Sequence, residues 1–158
     1  MEKIASFTTN HLSLIPGIYE SRRDNVNGTP IVTYDLRVTR PNFEPVMNTA
    51  EIHTIEHLGA TFLRNHYEFK DRIIYFGPMG CRTGFYLLVS GDFKPLSILA
   101  LVHEMFAFIS SFDEVIPGTE AKDCGNHLDH NLPMARYIAT NYSGILETIK
   151  NPSFEYPK

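Results

Sequence analysis

The sequence predicts an α+β domain in which helices pack on an antiparallel sheet. Three features predict it: an alternating polar and apolar segment beside a favoured turn, two short apolar strands around a glycine-rich loop, and three longer segments with apolar residues at helical spacing. The chain has 158 residues, which corresponds to about one ordinary domain. It contains no repeat and no low-complexity linker. We therefore expect a single domain over residues 1–158.

A β-hairpin is predicted over residues 17–40. The segment IVTYDLRV alternates, and its apolar residues share one face: Val32, Tyr34, Leu36 and Val38. Its polar residues share the opposite face: Thr33, Asp35, Arg37 and Thr39. Asn27 and Gly28 form a favoured turn pair between the two arms, because both residues tolerate positive φ. Pro41 ends the second arm.

A helix is predicted from about residue 48 to about residue 66. Asn48, followed by Glu51 three residues later, matches a capping box, and Thr49 is the alternative cap. This helix carries the strongest chemical signal in the chain, the segment HTIEH.

Two strands and two helices follow. The strands are predicted around residues 72–76 and 85–90, on either side of the loop GPMGCRTG. Pro95 fits the first turn of the second helix, in which six residues recur at helical spacing: Leu96, Leu99, Ala100, His103, Phe106 and Ala107. A last helix follows Pro133.

Composition and charge exclude several functions. The net charge is −4 and the pI about 5.9, with lysines and arginines scattered singly, so no nucleic-acid partner is expected. The longest apolar stretches, FYLLV and LSILALV, fall far short of the roughly 20 residues that a bilayer span requires, so no membrane partner is expected. No apolar signal-peptide core follows Met1. We expect a cytoplasmic protein whose two cysteines are free thiols.

In the segment HTIEH, His53 and His57 are four residues apart on a helix and lie one above the other. Both imidazoles can therefore reach one metal ion. Glu56 lies at the edge of the same face, where it can approach an open coordination position without being a ligand. The alternative is that the two histidines only pack or form hydrogen bonds.

A catalytic zinc-type site has three protein ligands and one open position. The segment CGNHLDH supplies three candidates for the third ligand, Cys124, His127 and His130. A thiolate would be a strong donor for Zn²⁺ or Fe²⁺. Spacing alone does not choose among the three residues.

Cys81 lies in the glycine-rich loop, between Gly80 and Gly84. The glycines permit sharp backbone turns and the close approach of a ligand. A thiol near a metal and Arg82 would have a lowered pKa and could act as a base. The alternative is a small buried hydrophobic residue.

Two kinds of metal protein are compatible with the HTIEH segment and the CGNHLDH candidates. An HxxEH zinc metallopeptidase would explain Glu56, but it leaves Cys81 without a role and expects a carboxylate as third ligand. A non-catalytic metal-binding module would fill all four metal positions with protein side chains, whereas a catalytic site keeps one open.

Several ordered motifs together resemble the S-ribosylhomocysteine lyases of the LuxS family: SFTTNH, YDLRVTRPN, HTIEHLGATFLRNH, PMGCRTGFYLLVSG and the CG that begins at Cys124. The resemblance implies an α+β metalloenzyme in which His53, His57 and Cys124 bind one divalent metal per subunit, Fe²⁺, which Zn²⁺ can replace. It implies Glu56 and Cys81 as the acid–base pair.

The same resemblance implies that Ser6, His11 and Arg37 hold the substrate, and that the protein is a homodimer with its active sites at the subunit interface. The implied substrate is S-ribosylhomocysteine. Two carbonyl isomerisations and a β-elimination of the thioether would release homocysteine and 4,5-dihydroxy-2,3-pentanedione, the precursor of autoinducer-2. The family pattern has one histidine after this cysteine, aligned with His130, which leaves His127 as a bystander.

Overall fold

The predicted hairpin forms the first half of the sheet in the computed structural model, which describes residues 9–157. Strand β1 (Gly17–Val26) pairs antiparallel with strand β2 (Thr29–Arg37). Asn27 and Gly28 have φ values of 50° and 85°. The Asn-Gly pair therefore makes the tight turn that the sequence predicts, because both positions lie in the left-handed region.

The second half of the sheet consists of strand β3 (Ile73–Pro78) and strand β4 (Gly84–Ser90). All neighbouring strands are antiparallel and their order is β1-β2-β4-β3, so β2 and β4 are the two central strands. Gly84 pairs with Arg37 at the end of β2. The loop before Gly84 is therefore held beside the end of β2, which brings Cys81 close to Arg37.

Helix α1 (Thr49–Asn65) begins after Asn48, as predicted. The Glu51 carboxylate accepts a hydrogen bond from the Asn48 backbone N–H at 2.6 Å. A capping box has two reciprocal hydrogen bonds, and this one provides an acceptor for the backbone N–H of the cap residue, Asn48. The start of the helix is therefore defined by local sequence, and with it the orientation of the HTIEH segment.

Helix α2 (Pro95–Ser111) and helix α3 (Leu132–Glu147) complete the fold. The buried face of α2 differs from the six residues at helical spacing that the sequence singled out, since Leu96 is 61% exposed and Ala100 is exposed. Its buried residues are Ile98, Leu101, Val102, Met105, Phe106 and Ile109. Because α2 is apolar on most sides, periodicity alone did not identify its buried face.

The core lies between one face of the sheet and the three helices. Val32 and Leu36 of β2 are fully buried there, as are Leu58 of α1, Val102 of α2 and Ala139 of α3. One antiparallel sheet and three helices share this core, which confirms the predicted α+β class. Within residues 9–157, no helix combines the length and apolar character needed to cross a bilayer.

Candidate functional site

Helix α1 brings His53 and His57 together as the sequence predicts. Their ring centroids are 4.6 Å apart. Nδ1 of His53 donates to the backbone carbonyl of Asp129 at 2.9 Å, and Nδ1 of His57 donates to that of Pro117 at 2.8 Å. Each histidine therefore keeps the lone pair of Nε2 for another partner, which is the arrangement that metal-binding histidines use.

The loop between α2 and α3 brings Cys124 and His130 to these two histidines. The four candidate ligand atoms all lie within 4.8 Å of one another, and Sγ of Cys124 is 3.4 Å from Nε2 of His53. His127 is outside this group. Of the three candidates that spacing left open, Cys124 and His130 thus lie beside the two histidines and His127 does not. We call His53, His57, Cys124 and His130 the histidine–cysteine cluster.

His130 has a defined tautomer in this cluster. The Thr54 hydroxyl donates its single proton to the Ala50 carbonyl at 2.9 Å, so Nδ1 of His130, 3.2 Å away, must donate to that hydroxyl oxygen. Nε2 of His130 then carries a lone pair, and it is buried without a hydrogen-bond partner among the described residues. Burial and the nearby His53 and His57 lower the pKa of His130, which favours its neutral form.

These observations fit a divalent metal. The cluster offers imidazole nitrogens with free lone pairs and one thiol, a donor set that suits Zn²⁺ and Fe²⁺. The backbone N–H of Asn126 donates a hydrogen bond to Sγ of Cys124 at 3.4 Å. All four side chains are half-buried, so the site is reachable from solvent.

Glu56 lies beside the cluster rather than in it. A cavity of about 360 Å³, which we call the glutamate cleft, is lined by Glu56 together with His53, Gly80 and Arg82. Glu56 is not one of the four residues of the histidine–cysteine cluster, and its approach to a metal stays a prediction.

Cys81 lies in a second cavity at the other side of the glycine-rich loop. This thiol pocket has a volume of about 250 Å³ and is lined by Thr9, His11, Asp35, Arg37, Met79, Gly80, Cys81, Tyr86 and Tyr156. Sγ of Cys81 lies 3.1 Å from the Thr83 hydroxyl and 3.8 Å from NH1 of Arg37. NH1 of Arg37 also donates to the Thr83 hydroxyl at 2.5 Å.

The surroundings of Cys81 favour its thiolate. Partial burial raises the pKa of the thiol, but the hydrogen bonds of Thr83 and the positive charge of Arg37 outweigh this effect. The net result is a lowered pKa. Cys81 is itself exposed, so the alternative of a small buried hydrophobic residue is wrong.

The residues expected to hold the substrate are placed only in part. His11 and Arg37 both line the thiol pocket, and Nδ1 of His11 donates to the Thr9 carbonyl at 2.9 Å. Ser6 lies outside the described residues. The pocket thus contains a histidine, an arginine and a thiol whose pKa is lowered.

Cys81 and Glu56 do not line the same cavity of one chain. The thiol pocket and the glutamate cleft share Met79 and Gly80, and otherwise have different walls. The two groups expected to act as an acid–base pair therefore line neighbouring but different cavities.

Sequence reasoning did not single out Asp35, Thr83 or Tyr156 as site residues. Asp35 forms an ion pair with Arg37 at 2.5 Å. The alternating pattern of β2 placed Asp35 on the polar face of the strand, but it did not predict this ion pair. Thr83 had a weak signal, because it lies two residues after Cys81 in GPMGCRTG. The sequence carried no signal for Tyr156, because this residue lies near the C-terminus and only folding brings it to the pocket.

Comparison with known proteins identifies one family over nearly the whole chain. Residues 4–152 match the family model described as S-ribosylhomocysteinase (LuxS). A protein of Clostridium beijerinckii named S-ribosylhomocysteine lyase is 57% identical over 158 residues, covering 99% of each chain. Proteins with the same name from Clostridium acetobutylicum and Finegoldia magna are 56% and 55% identical, each covering 100% of both chains. Because the family model covers residues 4–152 and these relatives are 55–57% identical over the whole chain, the chain belongs to the LuxS family.

Proposed function

We propose that this protein cleaves S-ribosylhomocysteine to homocysteine and 4,5-dihydroxy-2,3-pentanedione, as a carbon–sulfur lyase. The observation that carries the proposal is the pairing of the histidine–cysteine cluster with the Cys81 thiol in a chain of this family. The named relatives are S-ribosylhomocysteine lyases over their full length. The whole chain, residues 1–158, would act as one catalytic domain in the cytoplasm.

His53, His57 and Cys124 would hold one divalent metal per subunit, and Nε2 of His130 lies in the same cluster of donor atoms. Such a cation supplies Lewis acidity that polarises a substrate carbonyl. We propose Fe²⁺ as the metal in the cell, with Zn²⁺ as a replacement, since both accept imidazole and thiolate ligands. Metal analysis of protein purified without oxygen distinguishes the two, and zinc alone would overturn the choice of iron.

Cys81 is proposed as the base of the two isomerisations. Each isomerisation removes a proton from the carbon next to a carbonyl and returns a proton to the adjacent atom, which moves the carbonyl along the sugar. A thiolate held by Thr83 and Arg37 can take that proton and give it back. Glu56 would move protons among the sugar oxygens. Glu56 would also serve the elimination, in which removal of a proton from the carbon next to the carbonyl forms a C=C bond as the C–S bond breaks. The departing homocysteine sulfur takes up a proton, and the enol left behind becomes the diketone by a further proton shift.

His11 and Arg37 would bind the substrate in the thiol pocket, together with Ser6. The Arg37 guanidinium has two roles in this proposal, since it also stabilises the Cys81 thiolate. A pocket of about 250 Å³ with an arginine and a histidine suits a small polar molecule.

A homodimer with its active sites at the subunit interface is also proposed. Cys81 and Glu56 line different cavities in one chain, so joining the thiol pocket of one subunit to the glutamate cleft of its partner would complete a site. Large apolar residues are exposed beside both cavities. Leu12, next to His11, is 63% exposed, and Leu128, in the loop that carries Cys124, is 84% exposed. A partner subunit that joins the two cavities would cover both residues.

The two alternative functions are not favoured. A metallopeptidase expects a carboxylate ligand, and the histidine–cysteine cluster contains none. Four donors are compatible with a closed structural metal site. Such a site would leave Cys81 without a function and would not explain why the chain belongs to the LuxS family.

The two cysteines provide the main test of the proposal. Cys81→Ala should keep the metal, because no proposed ligand is lost, yet reduce turnover at least about a hundredfold. Cys124→Ala should lose metal and turnover together. Metal content after gel filtration and thiol release from S-ribosylhomocysteine measure both effects. Normal turnover by Cys81→Ala would show that the assignment of the base is wrong.

Mixed dimers test whether the sites are shared between subunits. Cys81→Ala and His57→Ala subunits are each expected to be inactive alone. If a site takes Cys81 from one subunit and the metal from its partner, an equimolar mixture should recover about a quarter of wild-type activity, because about half of the dimers are mixed and one of their two sites is intact. No recovery after confirmed subunit exchange would place each complete site within one chain.

A further inference from the structure

The C-terminal segment, residues 152–157, crosses the edge of the sheet. The backbone N–H of Glu20 in β1 donates to the Phe154 carbonyl at 2.7 Å, beside a bulge in that edge strand. The Phe154 side chain packs on Tyr34 in the core, with ring centroids 5.9 Å apart. Tyr156, two residues later, reaches the opposite face of the sheet, where Asp35 lies. The segment thus contributes one aromatic residue to each face.

Tyr156 is the first member of a chain of contacts that ends at Cys81. Its hydroxyl donates to Oδ2 of Asp35 at 2.9 Å, and NH2 of Arg37 donates to the same oxygen at 2.5 Å. NH1 of Arg37 contacts Thr83 and Cys81. The Asp35 and Arg37 side chains are only 1% and 3% exposed, so each group depends on its protein partners rather than on bulk water.

The Tyr156 ring is itself held in place. It stacks on Tyr19 with ring centroids 5.1 Å apart and an interplanar angle of 13°. The hydroxyl is therefore directed at Asp35 by packing as well as by the hydrogen bond. Burial raises the pKa of Asp35, and the charge and hydrogen bond of Arg37, the hydrogen bond from Tyr156 and the nearby His11 oppose this effect. His11 and Tyr86 are the other titratable side chains that line the pocket with Asp35, Arg37 and Cys81.

We infer that Tyr156 is a positioning residue for the thiol pocket, acting through Asp35 on the Arg37 guanidinium and so on Cys81. Asp35 and Cys81 compete for the same guanidinium. A hydrogen bond from Tyr156 disperses part of the Asp35 charge, which leaves more of the Arg37 charge for the thiolate. This inference extends the proposed function by assigning a role to the C-terminal segment.

The test is the pH dependence of Cys81 alkylation in the full-length protein, with mass mapping of the modified residue. Tyr156→Phe keeps the stacking on Tyr19 and removes only the hydroxyl. We expect the midpoint for Cys81 to rise by about half a pKa unit, a roughly threefold slower reaction at pH values well below the midpoint. Tyr67→Phe, at an 83% exposed tyrosine, is the matched control and should leave the midpoint unchanged.

A double-mutant cycle tests whether the effect passes through Asp35. Asp35→Asn removes the competing charge and should lower the midpoint, and Tyr156→Phe should then have no further effect in that background. An unchanged midpoint in Tyr156→Phe alone, or an equal shift in the Asp35→Asn background, would overturn the inference. Alkylation needs no substrate, so this result is independent of whether the lyase activity is confirmed.

If the lyase activity is confirmed, kcat gives a second readout. In Tyr156→Phe, kcat should fall about threefold below the thiol midpoint and recover at higher pH, with KM changed less, since only the thiolate fraction is altered. A loss of kcat that persists at high pH would indicate a structural effect and would contradict the inference.

Discussion

Thr83→Val tests how the pocket lowers the pKa of Cys81. The Thr83 hydroxyl lies 3.1 Å from Sγ of Cys81 and accepts a hydrogen bond from NH1 of Arg37 at 2.5 Å. Because a thiolate has no proton to donate, the hydroxyl proton must point to the sulfur when Cys81 is ionised. Valine has nearly the same shape, and so the substitution removes this donor with little change in volume.

The size of the effect follows from this contact. A hydrogen bond to a charged group contributes about 1.5–3 kcal/mol, and 1.36 kcal/mol corresponds to about one pKa unit, so complete loss would raise the thiol pKa by about 1–2 units. Cys81 is exposed, and water replaces part of the lost bond. We therefore expect a rise of about 0.5–1 unit, which slows alkylation about three- to tenfold at pH values well below the midpoint.

The assay is the rate of iodoacetamide reaction at Cys81 as a function of pH, with the metal left in place. The wild-type midpoint should lie below that of an ordinary cysteine, because the pKa is lowered, and Thr83→Val should shift it upwards. Thr140→Val, at an exposed position on α3, is the matched control. An unchanged midpoint in Thr83→Val would refute the claim that Thr83 stabilises the thiolate.

Two further predictions concern the cluster and the glycine-rich loop. His130→Ala should weaken metal retention about ten- to hundredfold in a chelator competition, which is the usual range for a group that supports a metal site. His127→Ala is the control and should not weaken it. Equal retention by both variants would show that His130 does not support the site. Gly84→Ala should destabilise the fold by about 1–3 kcal/mol in urea unfolding, because a Cβ there would overlap the Leu36 carbonyl and lie 3.2 Å from Cα of Arg37. Gly144→Ala, which has nothing within 4 Å, is the control, and equal stability of the two variants would contradict this packing.

Features that depend on near neighbours in the chain could be predicted from the sequence. The HTIEH spacing places His53 and His57 on one helix face wherever that helix packs, because the geometry is set by the helix itself. Asn27-Gly28 determines the hairpin turn in the same local way. The buried face of α2 was not predictable, since a helix that is apolar on most sides carries no strong periodic signal.

The sequence by itself therefore determined the fold class, the histidine pair with its glutamate, and the motifs that identify the family. The resemblance had already set His127 aside, but only the tertiary structure brought His130 into the cluster, because the path of a long loop decides which side chain meets α1. Only it joined Arg37 to Cys81, 44 residues away, and Tyr156 to Asp35, 121 residues away. The reactivity of the thiol depends on burial and on charges brought close by folding, and neither quantity is a property of the neighbouring residues in the chain.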